Sequence, residues 1–272
     1  SRPVSFVRPG ALLAVSILVT ACWRVGPGHL TPAELEDERR DRVEQAGAGY
    51  VSKVIHPFVV MAPDRETLKE AEETLTWAET RLRADFFDAE PGKVITVWVW
   101  PDEASYMSGS SAVLGVVPST PYGMYRPFSR SLIVNAGYGW GTLVHEVVHA
   151  YVAADFPSAP TWLDEGMGSL FEQPIDVSGH LHGALNWRLP SLQEALRRHA
   201  APSFDEMVEG WRRDFDGKRG PLLYATSRYV LYWLQQQGRL PAFYKQYRDH
   251  ALPPLPPRDE WERFVLALEY RR

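Results

Sequence analysis

"GWGTLVHEVVHAYVAADF", Gly139 to Phe156, sets two histidines and a glutamate inside an otherwise apolar segment. Burying three ionisable groups is costly unless they satisfy one another or a cation. Leu143, Val144, Val147, Val148 and Ala150 predict a buried helix over about 140–155. On that helix His145 and His149 project from one face about one turn apart and can share a metal ion. Glu146 stands beside them, where a carboxylate can take a proton from an activated water and return it to a leaving amine. Two hydrogen-bonded histidines and an ion-paired glutamate are the other reading of the same residues.

A hydrolytic zinc site needs three protein ligands and one open position, so the pair calls for a third ligand downstream. "APTWLDEGMGSLFEQ", residues 159–173, offers Glu165 on a helix predicted over 161–172. Pro160-Thr161 starts that helix, Trp162 and Leu163 pack beneath it, and Gly166 and Gly168 let it lie close against the motif helix. Asp164 competes for the ligand role. We assign Glu165 as ligand and Asp164 as a capping-box partner of Thr161, with the orienting of a histidine as the alternative for Asp164.

His145-Glu146-x-x-His149 followed by Trp162-Leu163-Asp164-Glu165-Gly166 resembles the gluzincin metallopeptidases, particularly the aminopeptidase N group, whose second motif reads W-L-N-E-G. It is also similar to the small peptidase MA-like proteins of bacteria, with their short sheet and trailing helices. The resemblance implies Zn2+ on His145, His149 and Glu165, Glu146 as general base and acid, and a peptide or protein substrate. In the aminopeptidase N group a tyrosine opening a later helix stabilises the oxyanion. The corresponding stretch here is "GPLLYATSRYVLYWLQQQG", so the resemblance gives that role to Tyr224, whose phenol is a suitable donor to a developing negative oxygen. A core tyrosine beside Tyr229, Tyr232 and Trp233 is the other reading of Tyr224. The G-x-M-E-N motif that binds a free amine in that group is missing, with "SLIVNAGYGWG" in its place, so endo- and exopeptidase action both stay open. Ser169 stands where thermolysin-like enzymes carry an aspartate. The strong matches cover Trp140 to Glu172, with a weaker extension to Gly238.

The rest of the chain frames this segment. With 272 residues, 45% of them hydrophobic, there is ample material for a packed core, and a net charge of -5 gives no reason to expect a nucleic acid partner. Arg2 and Arg8 precede "GALLAVSILVTACW", which is short for a membrane span and has the size of a signal-peptide core. The run ends in Val19-Thr20-Ala21-Cys22, which resembles the lipobox of bacterial lipoproteins, and Cys22 is the only cysteine. The expected organisation is a signal peptide over 1–21, a lipidated Cys22 opening a tether or lead helix over 22–50, and a metallopeptidase domain over 51–272. Such a protein is held at a membrane of the bacterial cell envelope, on its periplasmic or extracellular face. A non-catalytic envelope lipoprotein that uses the fold as a binding or assembly module is the alternative.

Strands are predicted in "HPFVVMAP" and "KVITVWVWP", and a hairpin in "YGMYRPFSRSLIVN" that turns at Pro-Phe-Ser-Arg. An amphipathic helix over 64–87 carries the stripe Leu68, Ala71, Leu75, Ala78 and Leu82, and further helices are expected over 190–199, 203–210, 221–237, 241–250 and 258–269. "VSGHLHG", with His180 and His182, reads as a loop. This order of elements is α+β: a small sheet and the HExxH helix, then a mainly helical half.

Overall fold

The computed structural model of the protein describes residues 30–126 and 128–270; the expected signal segment and Cys22 lie outside them. Helix α1 (Pro32–Ala46) opens with a capping box, in which the Thr31 hydroxyl accepts from the Glu34 amide and the Glu34 carboxylate accepts from the Thr31 amide. Strands β1 (Val51–Ile55) and β2 (Phe58–Ala62) pair antiparallel. Asp64 caps α2 (Arg65–Asp85), which returns the chain to β3 (Ile95–Trp100), parallel to β2. Helix α3 (Glu103–Leu114) leads to β4 (Gly123–Arg126) and β5 (Ser131–Asn135), an antiparallel hairpin whose second strand runs parallel to β3. The resulting five-stranded mixed sheet has the order β1-β2-β3-β5-β4.

Strand periodicity divides the sheet's contacts between two faces. Val59, Met61, Trp98, Trp100 and Ile133 pack with Leu35 of α1 and Tyr106 of α3. Their alternates Phe58, Val60, Val97, Val99, Leu132 and Val134 pack with Ala71, Leu75 and Ala78 of α2 and with the HExxH helix. Because β2 and β3 are covered on both sides, every position in them is buried. Their sequences accordingly read as continuous apolar runs rather than alternating ones.

The HExxH helix is α4 (Gly141–Asp155), which a short connection joins to α5 (Thr161–Phe171). A Cβ on Gly141 would overlap the Glu172 carbonyl, so the start of α4 touches the end of α5 and the two helices run antiparallel. After α5 come a two-stranded hairpin, β6 (Pro174–Val177) and β7 (His180–Gly183), then α6 (Leu189–Arg197), α7 (Phe204–Glu209), α8 (Arg212–Phe215), α9 (Gly220–Gln236), α10 (Leu240–Arg248) and α11 (Arg258–Ala267). The protein is thus mixed α and β, with a helical second half, as the order of elements predicted. Helix α9 is buried over most of its length and supports α5 from behind, and Arg228 on it donates to the Leu170 and Ala184 carbonyls.

Three expectations change. "VSGHLHG" forms part of the β6–β7 hairpin instead of a loop, and the hairpin is tied to α2 by His180 Nδ1 to Asp85 at 2.7 Å and by Arg81 to Asp176. The glycines of α5 divide their work: a Cβ on Gly168 would fall 2.9 Å from His145 Nε2, but one on Gly166 would press on Leu231 of α9. Gly168 alone therefore serves the contact with the motif helix. Pro160 caps α5 without a side-chain bond, so Asp164 and Thr161 form no capping box.

Candidate metal centre

Helix α4 turns His145 and His149 toward α5 and Glu146 toward β4, with Leu143, Val144, Val147 and Val148 fully buried around them. The two imidazole rings lie 4.8 Å apart, centre to centre. Glu165, 1% exposed on α5, directs Oε2 at both: it lies 3.7 Å from His145 Nε2 and 3.6 Å from His149 Nε2. Ligand atoms about 2.0–2.1 Å from a tetrahedral ion stand roughly 3.3 Å apart, so these separations are close to those of a zinc site. Glu165 Oε2 is buried and has no hydrogen-bond partner. The other oxygen, Oε1, is paired with an arginine, Arg212, and a cation between Oε2 and the imidazoles would satisfy the one that is left. His145, His149 and Glu165 are able to hold a metal ion.

A second layer of carboxylates fixes the rings. Asp164 Oδ1 meets His149 Nδ1 at 2.7 Å, which is the orienting role given above as its alternative. Glu172, just past the end of α5, places Oε2 3.5 Å from His145 Nδ1 and is itself held by Arg188, with Nε to Oε1 at 2.7 Å and Nη2 to Oε2 at 3.2 Å. Each histidine thus shows Nε2 to the shared point and Nδ1 to a carboxylate, the arrangement that sets tautomer and basicity in metal-ligating histidines. Ser169 does not substitute for an aspartate here, because its hydroxyl donates to the Glu165 carbonyl at 2.6 Å.

Burial alone would lower the His145 pKa, but Glu172 and Glu146 beside it reverse the sign and raise it. Burial would raise the Asp164 carboxyl, and His149 turns that into a net decrease. Glu172 follows the same pattern more strongly: burial pushes it up, while His145 and Arg188 hold it at about 2. A carboxyl depressed in the folded state stabilises the fold above its unfolded pKa near 4.5, and that contribution is lost as pH falls through about 2. In the metal-free protein Glu172→Gln is therefore expected to lower unfolding free energy at neutral pH, with the gap to the parent closing as acid protonates Glu172 in urea titrations. The same variant is expected to bind metal about 10–100-fold more weakly in competition with a chelator dye; unchanged affinity would remove Glu172 from the centre.

The group opens into a cavity of about 1200 Å³ lined by β4, α4, α5, the segment at α8 and the start of α9. Glu146, 6% exposed, lines it, and a Cβ on Gly123 of β4 would come within 3.4 Å of Glu146 Oε1. Gly123, Met124 and Tyr125 place the edge strand of the sheet along the same wall. Tyr224 lines the cavity from α9, its ring edge-on to Phe215 at 5.3 Å and beneath Arg188 at 5.2 Å; burial pushes its phenol up to about 12. The structure thus brings His145, Glu146, His149, Glu165 and Tyr224 to one cavity. His180 and His182 do not line it.

No protein-family model matches this chain, and no curated protein matches it in sequence. The site's chemistry therefore rests on the side chains themselves. Sequence reasoning missed Glu172, Arg188 and Arg212. The first carried a signal: it lies seven residues after Glu165, two turns on along the same helix face.

Proposed function

We propose that this protein is a zinc-dependent hydrolase of the gluzincin kind that cleaves peptide bonds, anchored at a bacterial envelope membrane through Cys22. The observation that carries the reading is the bare, buried Glu165 Oε2 set between two imidazole Nε2 atoms at the floor of an open cavity, with Glu146 alongside. When bound there, zinc supplies Lewis acidity toward a carbonyl oxygen and toward water.

The chain supplies the rest. Glu146 accepts a proton from the attacking water at its carboxylate and passes it to the departing nitrogen. Tyr224, kept protonated by burial, donates its O–H toward the carbonyl oxygen as negative charge gathers there. The β4 edge strand runs alongside Glu146 on the cavity wall, where an extended substrate can align with it. Asp164 and Glu172 keep the ligand rings from turning.

A purely structural zinc site would call for a fourth protein ligand. Among the described residues the group has three, all of which line the cavity. That favours catalysis over a binding or assembly role. The test is elemental analysis of the purified protein together with digestion of an unbiased peptide library. About one equivalent of zinc, with cleavage that a chelator stops and added zinc restores, is the expected result. Cleavage indifferent to chelation, or no zinc uptake, would sink the proposal.

A further inference from the structure

Helix α8 brings Arg212 to the cavity wall directly beside the metal group. Its guanidinium bonds Glu165 Oε1 through Nη1 and lies 3.5 Å from Asp164 Oδ2 through Nη2. The two partners differ sharply in exposure: the Arg212 side chain is 55% accessible, and that of Glu165 is 2%. The arginine therefore covers the carboxylate from the cavity side.

The other cationic side chain of the cavity is already engaged. Arg188 is clamped on Glu172 by two hydrogen bonds and is 13% exposed. Arg212 has a partner that a divalent ion would claim through its other oxygen, and a second partner, Asp164, already bonded to His149. A guanidinium has five donors in a planar fork. Arg212 lines the cavity with its side chain largely accessible, so the donors not used on Glu165 and Asp164 are within reach of a ligand there. The wall around them is formed by Phe215 and Tyr224, with Asp216 at the exposed rim, where solvent screens its charge.

We propose that Arg212 is a substrate-binding residue that selects a carboxylate close to the scissile bond, so that the preferred substrates are peptides carrying an acidic group on the leaving side. A bidentate guanidinium–carboxylate pair fits the chemistry of the fork, and the position fits the covalent geometry. Arg212 contacts one oxygen of the carboxylate whose other oxygen faces the ion's position, and three bonds separate a scissile carbonyl carbon from the carboxylate carbon of the next residue. The acidic group is either a terminal carboxylate or an aspartate or glutamate side chain.

This inference rests on the metallohydrolase reading, and the experiment separates the two. The full zinc-loaded chain is given an N-acetylated alanine pentapeptide with a free carboxylate, the same peptide amidated, and an amidated version with glutamate at its third position. Binding of each is also measured calorimetrically to the Glu146→Gln variant, where turnover is not needed. The free acid or the glutamate peptide is expected to exceed the plain amide by about tenfold or more in kcat/KM and in affinity, and whichever does so names the source of the carboxylate. Arg212→Met should bring that ratio close to one through KM, and Arg212→Lys, which keeps the charge without the fork, should leave an intermediate ratio, with zinc content checked in both. Hydrolysis with no preference for either acid overturns the role of Arg212 while leaving the hydrolase standing. Selective binding without hydrolysis does the reverse. A preference that both variants retain also overturns it.

Discussion

Glu146→Gln is expected to bind zinc as the parent does and to lose turnover by about two to four orders of magnitude, the range that a positioned general base contributes. Glutamine has the shape of glutamate and cannot accept the proton. Three features of the structure make this a clean substitution. Glu146 lines the cavity, it is not one of the three converging ligands, and its neighbour across the wall is a glycine of β4, so an amide fits without displacing a side chain. Zinc content by mass spectrometry and kcat on the best library peptide are the paired readouts. A variant that holds zinc and still cleaves at the parent rate would strip Glu146 of its assigned role. One that loses zinc would make it a ligand instead.

The second large effect concerns Glu165. Structural zinc sites bind with about 10–16 kcal/mol. A third of that for one ligand of three is about 4 kcal/mol, or roughly a thousandfold in affinity. Glu165→Ala is thus expected to abolish zinc retention through dialysis, along with activity. It also removes the buried partner of Arg212, so the metal-free variant is expected to unfold at a modestly lower denaturant concentration than the metal-free parent. Unaltered zinc binding by this variant would show that the ion, if present, sits elsewhere.

Much of this centre is legible in the linear chain because its ligands obey helix geometry. His145 and His149 are one turn apart, and Glu165 occupies the next helix, whose start is marked by Pro160. The long helices were equally legible, since their apolar stripes have a clear period. Helix α2 buries Ala71, Leu75, Ala78 and Leu82 as the spacing requires. Helix α3 was hidden by its serine- and glycine-rich interior, although Asp102 caps it and Gly115 closes it in the left-handed conformation at φ 62°. Strand β1 escaped because it sits at the sheet edge, half covered, with no strong alternation. Arg188 and Arg212 were illegible for another reason. They reach the centre from segments far along the chain, and only tertiary packing decides which of many surface arginines ends beside a buried acid. The histidine partners Asp164 and Glu172 fall between these cases: in an antiparallel pair, Asp164 near the start of α5 meets His149, and Glu172 just past its end meets His145, nearer the start of α4.

The contact of Gly141 with the Glu172 carbonyl closes the α4–α5 pair at the end opposite its connection. All three ligands therefore belong to one hairpin of helices that is already fastened at both ends, and an ion joining residues 149 and 165 bridges only a short stretch of chain. Closing so small a loop withdraws little freedom from the unfolded ensemble. The scaffold can be complete before the ion arrives. Maturation would then proceed as folding first and loading afterwards, and the empty protein would persist as a receptive vessel that is switched on by supply of the cation.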